Sequence, residues 1–250
     1  MNRRPPIVAG LIMLIIIAVS PSLAIGAGSW DDKPSPEEAL AKLKQGNERF
    51  RAGRSEHPRQ DARRLAQAAR EKQSDHAYAT IISCSDSRVP VEMIFDAGIM
   101  DLFVVRVAGN VMKTDEAGSI EYGTAHVYTP ILVVMGHTQC GAVAAVTKMV
   151  QGASMDLERN IPPLVAPIIP AVKKAMHDHP EAEGLAVVPY ATEENVWMGI
   201  EALFRESPST VKLVKQGKVK VIGAIYDLAD GKVTWLPEKK VADILARVAP

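Results

Sequence analysis

A chain of 250 residues, 47% of them apolar, can bury one substantial core, with or without a helical arm, and needs no second domain. Its 29 Lys plus Arg balance 29 Asp plus Glu. That excludes a nucleic-acid partner recruited by overall basic charge, and disorder driven by acidic excess, and leaves a globular protein with a small ligand.

Arg3 and Arg4 precede an apolar run over 7–19, followed by Pro21, Ser22, Leu23 and Ala24. This is the pattern of a secretory signal. Ser22 and Ala24 suit cleavage after Ala24, and Ala27 offers a second site; residues 1–27 are read as signal peptide and 28–250 as the working domain. An uncleaved anchor stays open, because the run can be stretched toward the roughly 20 residues of a membrane span. Export to the periplasm, with no stable membrane insertion after cleavage, is the expectation. An exported chain with two cysteines raises a disulfide as the first explanation of them.

Ser35-Pro36-Glu37-Glu38 is a cap-and-proline helix start leading into Leu40, Leu43 and Phe50. An N-terminal helical arm over about 35–72 is expected, its arginine-rich part from Gly53 to Glu71 forming a second, solvated surface helix. From Ala77 the pattern changes to short β-branched runs: Ala79 to Ser83, Leu102 to Val107, Ile131 to Met135 and Val219 to Ile225. These read as buried parallel strands. Helix-compatible stretches lie between and after them, at Ser119 to Tyr128, Ala142 to Val150, Ala171 to His177 and Glu193 to Phe204. Asn160 to Pro170, with four prolines, reads as an irregular connection. The alternation predicts an α/β fold, a central mostly parallel sheet flanked by helices, with its core over about 76–240.

Two clusters follow strands. Cys84-Ser85-Asp86-Ser87-Arg88 begins where the first strand ends, and in extended chain Cys84 and Asp86 point the same way. Gly136-His137-Thr138-Gln139-Cys140-Gly141 follows the third strand, with His137 and Cys140 placed by their spacing on one side of an opening helical turn. Two thiolates and an imidazole suit tetrahedral zinc and leave a fourth position. Asp86 is the protein rival for that position, and a bidentate pair with Arg88 would hold it away. Water there would have its pKa lowered toward roughly 7. A Cys84–Cys140 disulfide remains the competing account, and both states are possible in one protein.

The segments CSDSRVP (Cys84 to Pro90), IFDAG (Ile94 to Gly98), DLFVVRVAGN (Asp101 to Asn110), GSIEYG (Gly118 to Gly123) and GHTQCGAV (Gly136 to Val143) closely resemble the β-carbonic anhydrase family. So do the arm Glu38 to Phe50, Ser207-Pro208 and the stretch Gly217 to Val233; the likeness spans roughly 36–236. The resemblance implies one zinc per chain on Cys84, His137 and Cys140. It makes Asp86 and Arg88 the dyad governing access to the metal, with Asp86 a fourth ligand in a closed state, and zinc hydroxide the group that attacks carbon dioxide to give bicarbonate. Gly141 would offer an N–H near substrate or serve close packing; Val89, Phe103 and Tyr122 stand between core and substrate wall. Relatives often carry a Gln nine residues before the first cysteine, where this chain has Asp75; Gln73 is the nearest glutamine.

The resemblance also implies at least a homodimer, which an amphipathic arm wrapped on a partner would fit. Of six histidines, none is singled out as a proton shuttle, and His126 reads as a packing residue. Hydrolysis of carbon disulfide or carbonyl sulfide on the same site, and a non-catalytic exported zinc-binding protein, are the alternatives to hydration of carbon dioxide.

Overall fold

Ser35 starts helix α1 (Pro36–Arg51) with a reciprocal cap: its hydroxyl accepts the Glu38 amide at 3.2 Å and the Glu38 carboxylate accepts the Ser35 amide at 2.8 Å. Two amides that the helix cannot pair are thereby satisfied. The computed structural model describes residues 29–249, so the leader read over 1–27 lies outside the described residues. The apolar face of α1, Ala39, Leu40 and Leu43, is buried against Ile94, Phe95 and the sheet of its own chain. A Cβ added at Gly46 would stand 1.9 Å from the Phe95 carbonyl oxygen, so glycine is what lets this helix lie so close. The expected arm is present, but its apolar face is used within the chain.

The arginine-rich stretch departs from expectation. Only α2 (Ala62–Ala68) is helical, and Arg64 in it is buried. Arg59 (2.5 Å) and Arg64 (3.3 Å) converge on the buried carboxylate of Asp101, while Arg49 (2.6 Å) reaches Asp96. The segment is thus riveted to the domain by paired charges rather than left as a solvated face.

Asp96 also accepts the amides of Glu56 and His57, both at 3.0 Å. Burial alone would raise its pKa, but these amides and Arg49 outweigh it and hold the carboxyl below its ordinary value. A depressed folded-state pKa stabilises the fold above the unfolded value near about 4 and is lost as pH falls through the folded value. Wild-type stability is therefore expected to fall progressively as pH drops below about 5. Asp96→Asn, weaker at pH 7 by about 2 kcal/mol, should lose less over that window in denaturant titrations.

Strands β1 (Ala79–Ser83), β2 (Leu102–Arg106), β3 (Ile131–His137) and β4 (Lys220–Tyr226) are mutually parallel, and β5 (Val233–Trp235) runs antiparallel to β4. Their order is β2-β1-β3-β4-β5. Along β3, Ile131, Val133 and Met135 enter one apolar cluster and Leu132 and Val134 the other, the two-residue alternation of a strand covered on both faces. Between β1 and β3 lie α3 (Val91–Ile94) and α4 (Thr114–Glu121), the latter continuing into a π turn at Tyr122–His126.

After β3 come α5 (Gly141–Val150), α6 (Ile161–Val165), α7 (Ile169–Asp178), α8 (Val188–Glu206) and α9 (Pro208–Lys215); α10 (Glu238–Val248) closes the described chain. The four-proline stretch is helical where an irregular connection was expected. Its prolines fall in opening turns, where a missing N–H costs nothing. Among the described residues, no helix is long and apolar enough to cross a membrane.

Candidate metal centre

Cys84 follows directly on β1 and His137 is the last residue of β3. The two strands are neighbours, so both side chains arrive at the carboxyl edge of the sheet, where open α/β folds place their sites. Cys140 comes back by a turn rather than along a helix. Gln139 is left-handed (φ +56) and Cys140 is the extended N-cap of α5, with φ −65 and ψ 119. The predicted proximity of His137 and Cys140 holds; the helical turn invoked for it does not. Thr138 fixes the turn: its amide donates to the Tyr226 carbonyl at 2.9 Å and its hydroxyl accepts the Leu228 amide at 3.0 Å.

The ligand atoms of Cys84, His137 and Cys140 all lie within 4.8 Å of one another, and all three residues are buried. His137 Nδ1 is 2.9 Å from the Thr138 carbonyl oxygen, which can only accept, so Nδ1 carries the proton and Nε2 keeps a lone pair. Nε2 is buried and has no hydrogen-bond partner. A buried lone pair without a partner, beside two cysteines, is a costly arrangement unless a cation takes it.

The sulfurs point the same way. A hydrogen bond from Cys140, opposed by burial but helped by His137 and by the Gly109 and Asp86 amides, lowers the Cys84 pKa to about 4. The Cys84 thiolate in turn pushes the Cys140 thiol up, against the Ala142 and Val143 amides at the start of α5. One thiolate forms readily and the second only if positive charge arrives, which is what a divalent ion supplies. Both cysteines are free thiols, so the disulfide account is not the state seen.

Asp86 is held by Arg88, with Nε to Oδ1 at 3.0 Å and Nη2 to Oδ2 at 2.7 Å, and the Arg88 amide also donates to Oδ1 at 2.9 Å. This fork, ahead of the opposing desolvation, keeps the carboxyl far below its usual range. Arg88 Nη2 also reaches the Gln139 carbonyl at 3.2 Å, tying the first motif to the second. Arg106, missed by sequence reasoning, donates to the carbonyls of Cys84 (3.2 Å) and Asp86 (2.7 Å) and holds the loop that carries both. It lay in the DLFVVRVAGN segment, but nothing in its spacing linked it to the cysteines.

The remaining candidates divide. Val89 is buried in the apolar cluster beneath α1. A Cβ at Gly141 would meet nothing within 4 Å, so close packing does not explain that glycine. Phe103 and Tyr122 have ring centroids 5.9 Å apart, and Tyr122 in turn stacks at 5.5 Å on His126, which is exposed rather than packed inside. Gln73 lines a hollow of about 350 Å³ with Tyr122 and His126; none of Cys84, His137 and Cys140 lines it.

A Cys₂His donor set at the carboxyl edge of a parallel sheet, with the adjacent carboxylate clamped by arginine, is the three-donor set of a class of zinc enzymes. The profile of the carbonic anhydrase family matches residues 79–233. Carbonic anhydrase 2 of Mycobacterium tuberculosis is 35% identical over 201 residues, 79% of this chain and 91% of that protein. The crystal structure of the β-carbonic anhydrase CafA of Aspergillus fumigatus is similar at a TM-score of 0.62 and 28% identity, over 86% of this chain and 98% of that one. A likeness in fold, at a TM-score of 0.57 and 22% identity over 80% and 95% of the chains, extends to a structure of two tetrameric β-carbonic anhydrases from Sordaria macrospora. The chain belongs to the carbonic anhydrase family, in its β class. It is a carbonic anhydrase, a lyase whose cofactor is zinc, and its Cys84, His137 and Cys140 form a cluster able to bind one such ion.

Proposed function

We propose that the protein hydrates carbon dioxide reversibly, converting carbon dioxide and water to bicarbonate and a proton, with Cys84, His137 and Cys140 holding one Zn²⁺. The buried, unpartnered Nε2 of His137, on a residue whose ligand atom lies within 4.8 Å of those of both cysteines, is the observation that carries this reading. Zinc in such a set supplies Lewis acidity that brings the pKa of water toward about 7. Asp86 accepts a hydrogen bond from the attacking water and so orients its lone pair toward the carbon, and Arg88 keeps Asp86 in that role and out of the fourth ligand position. Gly141, exposed at the start of α5, offers its N–H toward the substrate oxygen. The proton departs to solvent buffer. Initial rates with carbon dioxide, carbonyl sulfide and carbon disulfide test the substrate: hydration should exceed either hydrolysis by orders of magnitude, and the reverse ranking would contradict the proposal.

The working form is a homodimer or higher homo-oligomer of exported, periplasmic chains freed of residues 1–27. Support for assembly comes from β2, an edge strand whose Leu102 to Val105 are only half buried, beside the exposed rings of Tyr122 and His126. An apolar edge with unpaired backbone groups is a template for a second copy. Sedimentation of the exported protein and the mass of its N-terminus test both points; a monomer, or a chain retaining its first 24 residues, would contradict them.

A further inference from the structure

The Gly109 amide donates to Cys84 Sγ at 3.3 Å, and the peptide that follows it is held by a second side chain. Gly109 and Asn110 are both left-handed, with φ +71 and +43, a conformation open to glycine without cost and to asparagine more than to most residues. Ile168 and Ala142 close on one flank: a Cβ at Gly109 would lie 2.7 Å from Ile168 Cδ1 and 3.0 Å from Ala142 Cβ. The second side chain is Asn195, 4% exposed, on α8. Its Nδ2 donates to the Gly109 carbonyl at 2.9 Å. The neighbours of Asn195 on that helix, Ala191 and Val196, belong to the apolar clusters. A carboxamide buried in such company is costly unless bonded, and the bond it makes is to the loop, not to its own helix.

We propose that Asn195 is a positioning residue of the metal centre. By holding the Gly109 carbonyl it keeps the Gly109 N–H aimed at Cys84 Sγ, and so sets how much charge that thiolate offers to the metal. The inference rests on the zinc reading above. Asn195 reaches no substrate; it acts through one glycine. An N–H donated to a ligating sulfur withdraws electron density from it and also holds it in place, and loss of an outer-shell partner of this kind typically costs 10–100-fold in metal affinity.

The test uses the full-length protein, loaded with zinc for affinity and with Co²⁺ for its thiolate-to-metal charge-transfer band. Wild type is compared with Asn195→Leu, Asn195→Ala and Leu203→Ala, the last a fully buried position of α8 in a different apolar cluster from Cys84. In both Asn195 variants the band should move to lower energy and the zinc dissociation constant should rise about tenfold. Leu203→Ala should lower the unfolding temperature and move neither. An Asn195 variant that folds, with the wild-type band and zinc affinity, overturns the inference alone. Failure of both Asn195 variants to fold also overturns it, by making Asn195 part of the framework. A wild type lacking the band overturns the zinc reading and this inference with it.

Discussion

Cys140→Ser is expected to abolish zinc binding and lower carbon dioxide hydration by about three orders of magnitude or more, while the protein stays folded. Serine is a favoured N-cap, so the start of α5, where Cys140 stands, keeps its local structure. What disappears is a soft donor able to carry negative charge at neutral pH; a serine hydroxyl cannot replace it. The two remaining donors, Cys84 and His137, do not complete a set of three. Metal-derived charge stabilisation worth several kcal/mol is lost, and each 1.36 kcal/mol is about tenfold in rate. Elemental analysis, circular dichroism and stopped-flow hydration on the same sample check this. One zinc per chain and activity within tenfold of wild type would contradict the ligand assignment.

Arg88→Leu is expected to behave differently, keeping its zinc and losing about 100-fold in turnover. In the native loop both Asp86 oxygens are occupied by the guanidinium, and the same group ties Asp86 to the Gln139 carbonyl of the second motif. Leucine removes both restraints and leaves a carboxylate two residues from a thiolate ligand. Carboxylates are ordinary zinc ligands, so Asp86 then competes for the position that the reaction needs open. Zinc content separates this from loss of the site: full metal with low turnover supports the clamp, and undiminished turnover refutes it.

How much of this was readable in advance depended on how local the determinant was. β1 begins and ends where the apolar run Ala79 to Ser83 does, because a buried parallel strand needs nothing beyond its own residues to announce itself. The metal trio was legible for the opposite reason: three residues of unusual chemistry, all at or shortly after the ends of such strands, left few other readings. β5, only three residues long, was not visible, since its pairing with β4 depends on the turn that returns it rather than on any apolar pattern. The prolines between Asn160 and Pro170 misled because proline breaks a helix interior but suits its first turn, and a sequence does not say which turn each occupies. Arg59 and Arg64 looked like surface charge because their partner Asp101 is about 40 residues away. Arg106 and Asn195 stayed hidden on the same ground, being related to Cys84 through backbone groups that no spacing in the sequence reveals.

Metal removal and return show whether three side chains and one zinc make this chain a hydrating enzyme. Protein stripped by a chelator is expected to lose carbon dioxide hydration, and to recover it linearly as Zn²⁺ is added, with the break at one equivalent per chain. Full activity in metal-free protein, or no recovery at one equivalent with both thiols reduced, would contradict it.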